Sequence, residues 1–346
     1  MGDVAAHAGV SMQTVSRVAN GLTNVGADTR ERVLSSMRTL GYRPNGAARA
    51  LRSGRFRTLG VVTFGLSSYG TMRTLEAIAV AASGAGYALT VMPVGRPKQA
   101  DVNSALGRLS EQAVDGIIAL VETHILDRST LELPPGLSAV VIDSTERADY
   151  PQVDADQAGG ARQATEHLLG LGHATVWHIA GPVSSYAAAR REGAWRETLQ
   201  AAGASVPEVL RGDWSTTSGY EQGRRIASRP DVTAVFAAND QMALGLLRAL
   251  HEAGRTVPGD VSVVGFDDMD GADSFWPPLT TVRQDFEAVG ARAVELLIRE
   301  VDGEPDPVRG LLLPTRLVVR GSTGPIRSIA PGAGHRTEAT RTCGDS

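Results

Sequence analysis

From residue 58 onward the chain alternates between short, β-rich and mostly apolar runs and longer stretches with helical periodicity, and this alternation constrains the fold more than any other feature. The apolar runs fall at 59–63, 88–92, 116–120, 139–143, 175–179, 209–211, 233–237 and 261–265. The helical stretches between them are 72–84, 102–112, 157–171, 190–202, 220–228 and 241–253. A strand that is apolar on both faces must be covered on both faces. Parallel sheets wrapped by crossover helices do this. Two blocks of the pattern predict an α/β core of two lobes, each a doubly wound parallel sheet. Ligands of such sheets bind beyond the C-terminal ends of the strands, which here means a cleft between the lobes.

The first 44 residues follow different rules. Residues 4–8 read as a short helix, and Gly9 supplies the left-handed backbone that a tight inter-helix turn needs. Ser11 is placed to cap a second helix. That helix turns Val15 and Val18 inward at i, i+3. Met12, Gln13, Ser16, Arg17 and Asn20 are left facing outward. Residues 28–40 predict a third helix, with Val33, Met37 and Leu40 on one face, Gly26 at the cap position and Gly41 as its stop. The predicted unit is an all-α helix-turn-helix head whose second helix reads DNA bases.

Charge is distributed to match. The net charge of the 346-residue chain is −4, which alone would argue against a nucleic-acid partner. Residues 1–55, however, hold eight arginines (17, 30, 32, 38, 43, 49, 52 and 55) against Asp3, Asp28 and Glu31. That is a net +5, leaving −9 for the rest. A basic head on an acidic body confines phosphate binding to one end. The only cysteine, Cys343, can form neither an internal disulfide nor a thiolate metal site. Mean hydropathy is −0.08, and neither a signal peptide nor a membrane-length apolar run is present, so a cytoplasmic protein is expected.

The run from Asp3 to Asn20 satisfies D-V-A-x-x-A-G-V-S-x-x-T-V-S-R-V-x-N throughout. It resembles the DNA-binding head of the LacI/GalR family of bacterial sugar-responsive repressors. Gln can pair bidentately with adenine and Arg with guanine, so Gln13 and Arg17, with Met12, are expected to choose sequence. Thr14, Ser16 and Asn20 are expected to position the head on phosphates. Residues 45–54 resemble the family's hinge helix, too short to be stable alone. The resemblance assigns Asn45, Ala48 and Leu51 to DNA contact, with Leu51 as the minor-groove wedge. The implied organisation is a head at 1–44, a hinge at 45–57, a two-lobed effector-binding and dimerisation domain at 58–325 and a disordered tail at 326–346. The tail has no leucine heptad of the kind that pairs dimers into tetramers, so a homodimer is expected.

The resemblance continues through residues 180–185, 212–215, 238–245, 263–268 and 277–286. Carried onto matching positions, it implies an effector site made of Asp143, Arg191, Trp214, Asn239, Asp267, Gln284 and Phe286. The residue chemistry agrees. Carboxylates and amides suit sugar hydroxyls, and an aromatic face suits sugar C–H groups. Asp143 and Asp267 each end an apolar strand, where the cleft should be, and Trp214 sits in a polar loop. The cleft resembles the lac branch of the family, which implies a galactoside. The loop at 64–70 should wall one side, and its departure from the pattern allows a bulkier or different glycoside. Asp154 and Asp156 read as caps of the next helix, and His167 and His173 as a helix end. No H-E-x-x-H, P-loop or G-x-S-x-G motif is present, so no enzyme, metal or cofactor is expected. The partners implied are double-stranded operator DNA, a small sugar or glycoside and a second copy of the chain, with no membrane.

Overall fold

A computed structural model describes residues 1–19, 21–42, 54–66, 68–95, 99–120, 136–142 and 150–326. The chain divides into two compact units, Met1–Arg57 and Thr58–Ser346.

The first unit contains α1 (Gly2–Ala8), α2 (Met12–Ala19) and α3 (Ala27–Thr39). Gly9 ends α1 at φ 63°, and its N–H reaches the Ala5 and Ala6 carbonyls. A side chain there would strain the left-handed geometry that lets α2 start three residues later. Ser11 caps α2, its Oγ accepting from the Thr14 N–H at 3.2 Å. Val4, Ala5, Ala8, Val15, Val18, Val33 and Met37 form the core between the three helices. His7 Nδ1 pairs with Ser36 Oγ at 2.9 Å, and this ties α1 to α3. Gly26 precedes α3 with no side-chain cap.

The second unit holds two six-stranded sheets. The first lobe comprises β1 (Thr58–Phe64), α4 (Tyr69–Gly84), β2 (Ala88–Val94), α5 (Gln99–Glu111), β3 (Gly116–Leu120), β4 (Ser138–Ile142) and β5 (Gln152–Ala155). The second comprises α6 (Gln157–Gly170), β6 (Trp177–Ala180), α7 (Tyr186–Ala201), β7 (Leu210–Arg211), α8 (Thr216–Ala227), β8 (Ala234–Ala237), α9 (Asp240–Glu252), β9 (Ser262–Asp267) and β10 (Thr280–Arg283). The chain then returns to the first lobe with α10 (Phe286–Asp302) and β11 (Gly310–Leu313), and back to the second with β12 (Arg316–Val318). Strand orders are β11-β5-β4-β3-β1-β2 and β12-β10-β9-β8-β6-β7. The first sheet is wholly parallel. The second departs from the expected pattern at one edge, where β12 runs antiparallel to β10.

The central strands are the continuous apolar runs of the sequence: β3, β8 and β9 are buried along their whole length. Helices cover both faces. Val61, Ile118, Val140, Val289, Val294 and Leu297 pack on one face of the first sheet, while Val62, Leu106, Leu109 and Ile117 pack on the other. In the second lobe Ile179, Val235, Val263, Leu246 and Leu250 fill one side, and Trp195, Phe236, Phe266 and Leu168 fill the other.

The chain passes between the lobes three times, at residues 156, 284–285 and 314–315. These passages are joined to one another. The Asp156 N–H donates to the Leu313 carbonyl at 2.8 Å, and Thr315 Oγ1 donates to the Asp156 carbonyl at 2.9 Å. Gln157 Nε2 donates to Gln284 Oε1 at 2.8 Å. The passages lie at the C-terminal ends of β5 and β10, where the fold leaves a cleft. Among the described residues no helix is long and apolar enough to cross a membrane.

Candidate functional site

The cleft is walled by both lobes. Arg191, Trp214, Asn239, Asp267, Gln284 and Phe286, six of the seven residues expected to form an effector site, line this one cavity. The seventh, Asp143, lies outside the described residues; Ile142, just before it, lines the cavity.

Arg191 sits in the second turn of α7, and the chain buries it almost completely (4% exposed). A guanidinium removed from water needs its donors satisfied and its charge matched. Its Nε donates to Gln157 Oε1 at 2.8 Å, and one terminal nitrogen donates to the Ala238 carbonyl. The other lies 3.7 Å from Asp267 Oδ1. The plane rests on Phe266, 3.7 Å from the ring centre, with Trp214 at 5.5 Å. Gln157 passes the chain of hydrogen bonds to Gln284, and Gln284 Nε2 closes it on Asp267 Oδ1 at 2.7 Å. The result is a closed cycle, Arg191 to Gln157 to Gln284 to Asp267 and back. It spans two of the inter-lobe passages. Gln157 is thus a member of the site that residue patterns did not mark.

Trp214 stands in the loop after β7 with φ at 75°. Its indole lies over Gly181, where a Cβ would come within 2.4 Å of the ring. Asn239 orients this loop. Its Oδ1 caps α9 through the Met242 N–H at 2.9 Å, and its Nδ2 donates to the Trp214 carbonyl at 3.0 Å. One amide hydrogen then remains for a ligand. Helix cap and cleft residue are therefore the same side chain.

Asp267 closes β9 at φ 113°, and Asp268 follows at φ 52°. Two consecutive non-glycine residues at positive φ persist only where their surroundings over-determine them, each at about 1–3 kcal/mol. The surroundings are visible. Asp268 is gripped by Arg283 and by Arg320, the latter at 2.6 Å. Buried Asp240 accepts from Thr281 Oγ1 at 2.6 Å and from the Met269 N–H at 2.8 Å. Burial, with the nearby charge of Asp267, holds the Asp240 carboxyl well above the ordinary range. A strained corner turns Asp267 into the cleft.

The opposite wall comes from the start of α4 and the end of β5. Ser68 caps α4 through the Thr71 N–H at 3.2 Å. The Tyr69 ring meets Phe286 edge-on at 6.0 Å, and its Oη accepts the Asp270 N–H at 3.1 Å, linking the two lobes across the cleft. Of the two aspartates expected to cap a helix, Asp156 does so, accepting from the Gly159 N–H at 2.8 Å. Asp154 does not: it lies inside β5 and lines the cavity, because strand alternation turns it to that side. His167 lies in the last turn of α6, as expected. His173 pairs with Thr233 and Ser262 at 3.0 and 3.1 Å.

In the head, Met12, Gln13, Thr14, Ser16 and Arg17 all lie on α2, and none is buried. Met12 is 61% exposed. Asn20, Asn45, Ala48 and Leu51 lie outside the described residues.

Comparison with known proteins agrees with this layout. Residues 1–45 match the family described as bacterial regulatory proteins, lacI family, and residues 165–323 match a periplasmic binding protein-like domain. The lactose operon repressor of Escherichia coli (strain K12) is 35% identical over 347 residues, covering 99% of this chain and 94% of that protein. The HTH-type transcriptional regulator CelR of Thermobifida fusca is 39% identical, covering 92% and 96%. Among solved structures, the lac repressor dimer bound to operator and the anti-inducer ONPF superposes with a TM-score of 0.85 over 93% of this chain and 98% of that one, at 35% identity. A CelR–cellobiose complex gives 0.69 at 36% identity, covering 92% and 98%. With its helix-turn-helix head and two-lobed periplasmic-binding-protein-like core, the chain belongs to the lacI family of bacterial regulatory proteins.

Proposed function

We propose that this protein is a dimeric transcriptional repressor whose affinity for operator DNA is lowered by a small sugar, a galactoside, bound in the cleft between the lobes. The observation that carries the reading is the gathering of Arg191, Trp214, Asn239, Asp267, Gln284 and Phe286 around one cavity from five separate stretches of chain. Fixed donors, a carboxylate and an aromatic face in a concave site suit a polyhydroxylated ligand with an apolar C–H surface. The galactoside is favoured by the likeness to the lactose operon repressor along nearly the whole chain.

In the head, α2 supplies the reading helix. Gln13 and Arg17 carry base-directed donors and acceptors; Thr14 and Ser16 suit phosphate contacts. Two heads of a dimer would occupy the half-sites of a pseudo-palindromic operator. A sugar that prefers one arrangement of the lobes, and DNA that prefers another, each weaken the other's binding.

Fluorescence anisotropy on DNA from upstream of the chain's own gene, with a panel of galactosides, tests this. Tight binding that a galactoside releases is expected. Binding that no galactoside releases would overturn the effector assignment and leave DNA binding intact. No binding at moderate salt would overturn the repressor reading itself.

A further inference from the structure

We propose that Asp268, which does not itself line the cleft, is the positioning residue that aims the Asp267 carboxylate into it; this rests on the reading of the cleft as a sugar site. Asp267 turns out of β9 at φ 113°, a backbone conformation that residues with a side chain rarely hold unless the surroundings fix it. The partners of its carboxylate, Gln284 at 2.7 Å and Arg191 at 3.7 Å, are cleft side chains and do not fix the backbone. That task falls to the next residue.

The Asp268 side chain is 3% exposed and lies between two guanidiniums. Its Oδ1 accepts from Arg320 Nη2 at 2.6 Å, and its Oδ2 accepts from Arg283 Nε. Its N–H donates to Thr281 Oγ1 at 3.3 Å. Arg320 is itself anchored, donating to the Leu279 carbonyl at 2.7 Å and, through its N–H, to Thr280 Oγ1 at 2.9 Å. Arg283 stands directly opposite Arg316 across the β10–β12 pair, where like charges repel, and Asp268 supplies the counter-charge that draws Arg283 onto the corner. The left-handed φ of 52° at 268 would be met equally well by asparagine or glycine, so the backbone does not call for a carboxylate; the two arginines do. Arg283 immediately precedes the passage at 284–285, and Arg320 follows β12, beyond the passage at 314–315. The clamp thus sets the corner that carries Asp267 relative to two of the three segments joining the lobes.

Isothermal titration of the full chain with methyl β-D-galactopyranoside and its 2-, 3-, 4- and 6-deoxy analogues tests the proposal. In the wild-type chain one deoxy analogue is expected to bind roughly tenfold or more weaker than the parent, because it lacks the hydroxyl that Asp267 accepts. Asp268→Asn keeps the shape and the left-handed backbone but removes the charge. It is expected to weaken the parent until it binds within about threefold of that analogue, whose own affinity stays unchanged. A residue that served the fold alone would weaken every sugar by one factor and leave the ratio as it was. Arg283→Gln, at a side chain 45% exposed, removes one half of the clamp and is expected to lower the ratio in the same direction by a smaller factor. A ratio unmoved by both variants, or no position-specific loss in the wild type, would overturn the role of Asp268 while the sugar site stands. No binding of any of these sugars would remove the sugar reading and this role together.

Discussion

His178 is the residue whose chemistry is most at odds with its place. It stands in the middle of β6, fully buried, between Phe236 at 4.7 Å and Trp195 at 5.2 Å. Its Nδ1 hydrogen-bonds the Phe236 carbonyl at 2.8 Å, and Nε2 has no partner among the described residues. Burial drives its pKa down from 6.5 to about 4, with the Phe236 hydrogen bond opposing the shift. The neutral ring is the one that fits. The unfolded chain therefore binds the extra proton first, and stability is lost as pH falls from the unfolded value toward 4. Between pH 7 and pH 5 the wild-type chain is expected to lose about 2 kcal/mol relative to His178→Phe, measured by denaturant unfolding at each pH. Equal losses in the two proteins would contradict the assignment. Trp214, Asn239, Asp267, Gln284 and Phe286 were legible from sequence, since each stands in a segment matching a known pattern; Arg191, outside those segments, came from the resemblance along the chain. Gln157 and Asp154 were not legible. Their roles come from where the passage at residue 156 and a four-residue strand place them, and a polar residue before a helix, as Asp154 is, reads equally well as a cap.

At the scale of elements, glycines decide how the second lobe packs. Helices α8 and α9 lie so close that a Cβ on Gly245 would stand 2.1 Å from the Thr216 carbonyl oxygen and 2.4 Å from the Tyr220 nitrogen. Gly219 answers from α8, its own Cβ position 2.3 Å from the Met242 carbonyl oxygen. These neighbours are backbone, which cannot move aside as a flexible side chain can. Gly245→Ala is expected to destabilise by about 1–3 kcal/mol, despite the better helix propensity of alanine, and thermal unfolding reads it directly. An unchanged or raised Tm would mean that the helices separate freely. The buried strands β1, β3, β8 and β9 were legible because they are unbroken apolar runs. β11 and β12 were not, being half-exposed edge strands of only four and three residues. The α10 helix carries the signals of a helix, with an Asp285 cap accepting from the Ala288 N–H at 2.8 Å and a Gly303 stop at φ 76°. It belongs to the first lobe although it follows the second in sequence, and local periodicity holds no information about such a return.

At the scale of the molecule, the account is one of coupling. The cleft lies where three inter-lobe passages meet, so a ligand that draws on Gln157, Gln284 and Asp267 engages the segments about which the lobes can turn. The Tyr69–Asp270 hydrogen bond is a further link between lobes that such a turn would strain. A basic head of net +5 on a body of −9 makes operator binding steep in salt, while sugar binding to uncharged hydroxyls is not. The two can therefore be varied separately. The most direct test is to measure sugar affinity by titration twice, with and without a saturating operator fragment, and operator affinity with and without saturating sugar. Linkage requires the two ratios to be equal, and an allosteric repressor puts that common factor at roughly 5–150. A sugar affinity identical in the presence and absence of operator would contradict the account, whatever each site binds on its own.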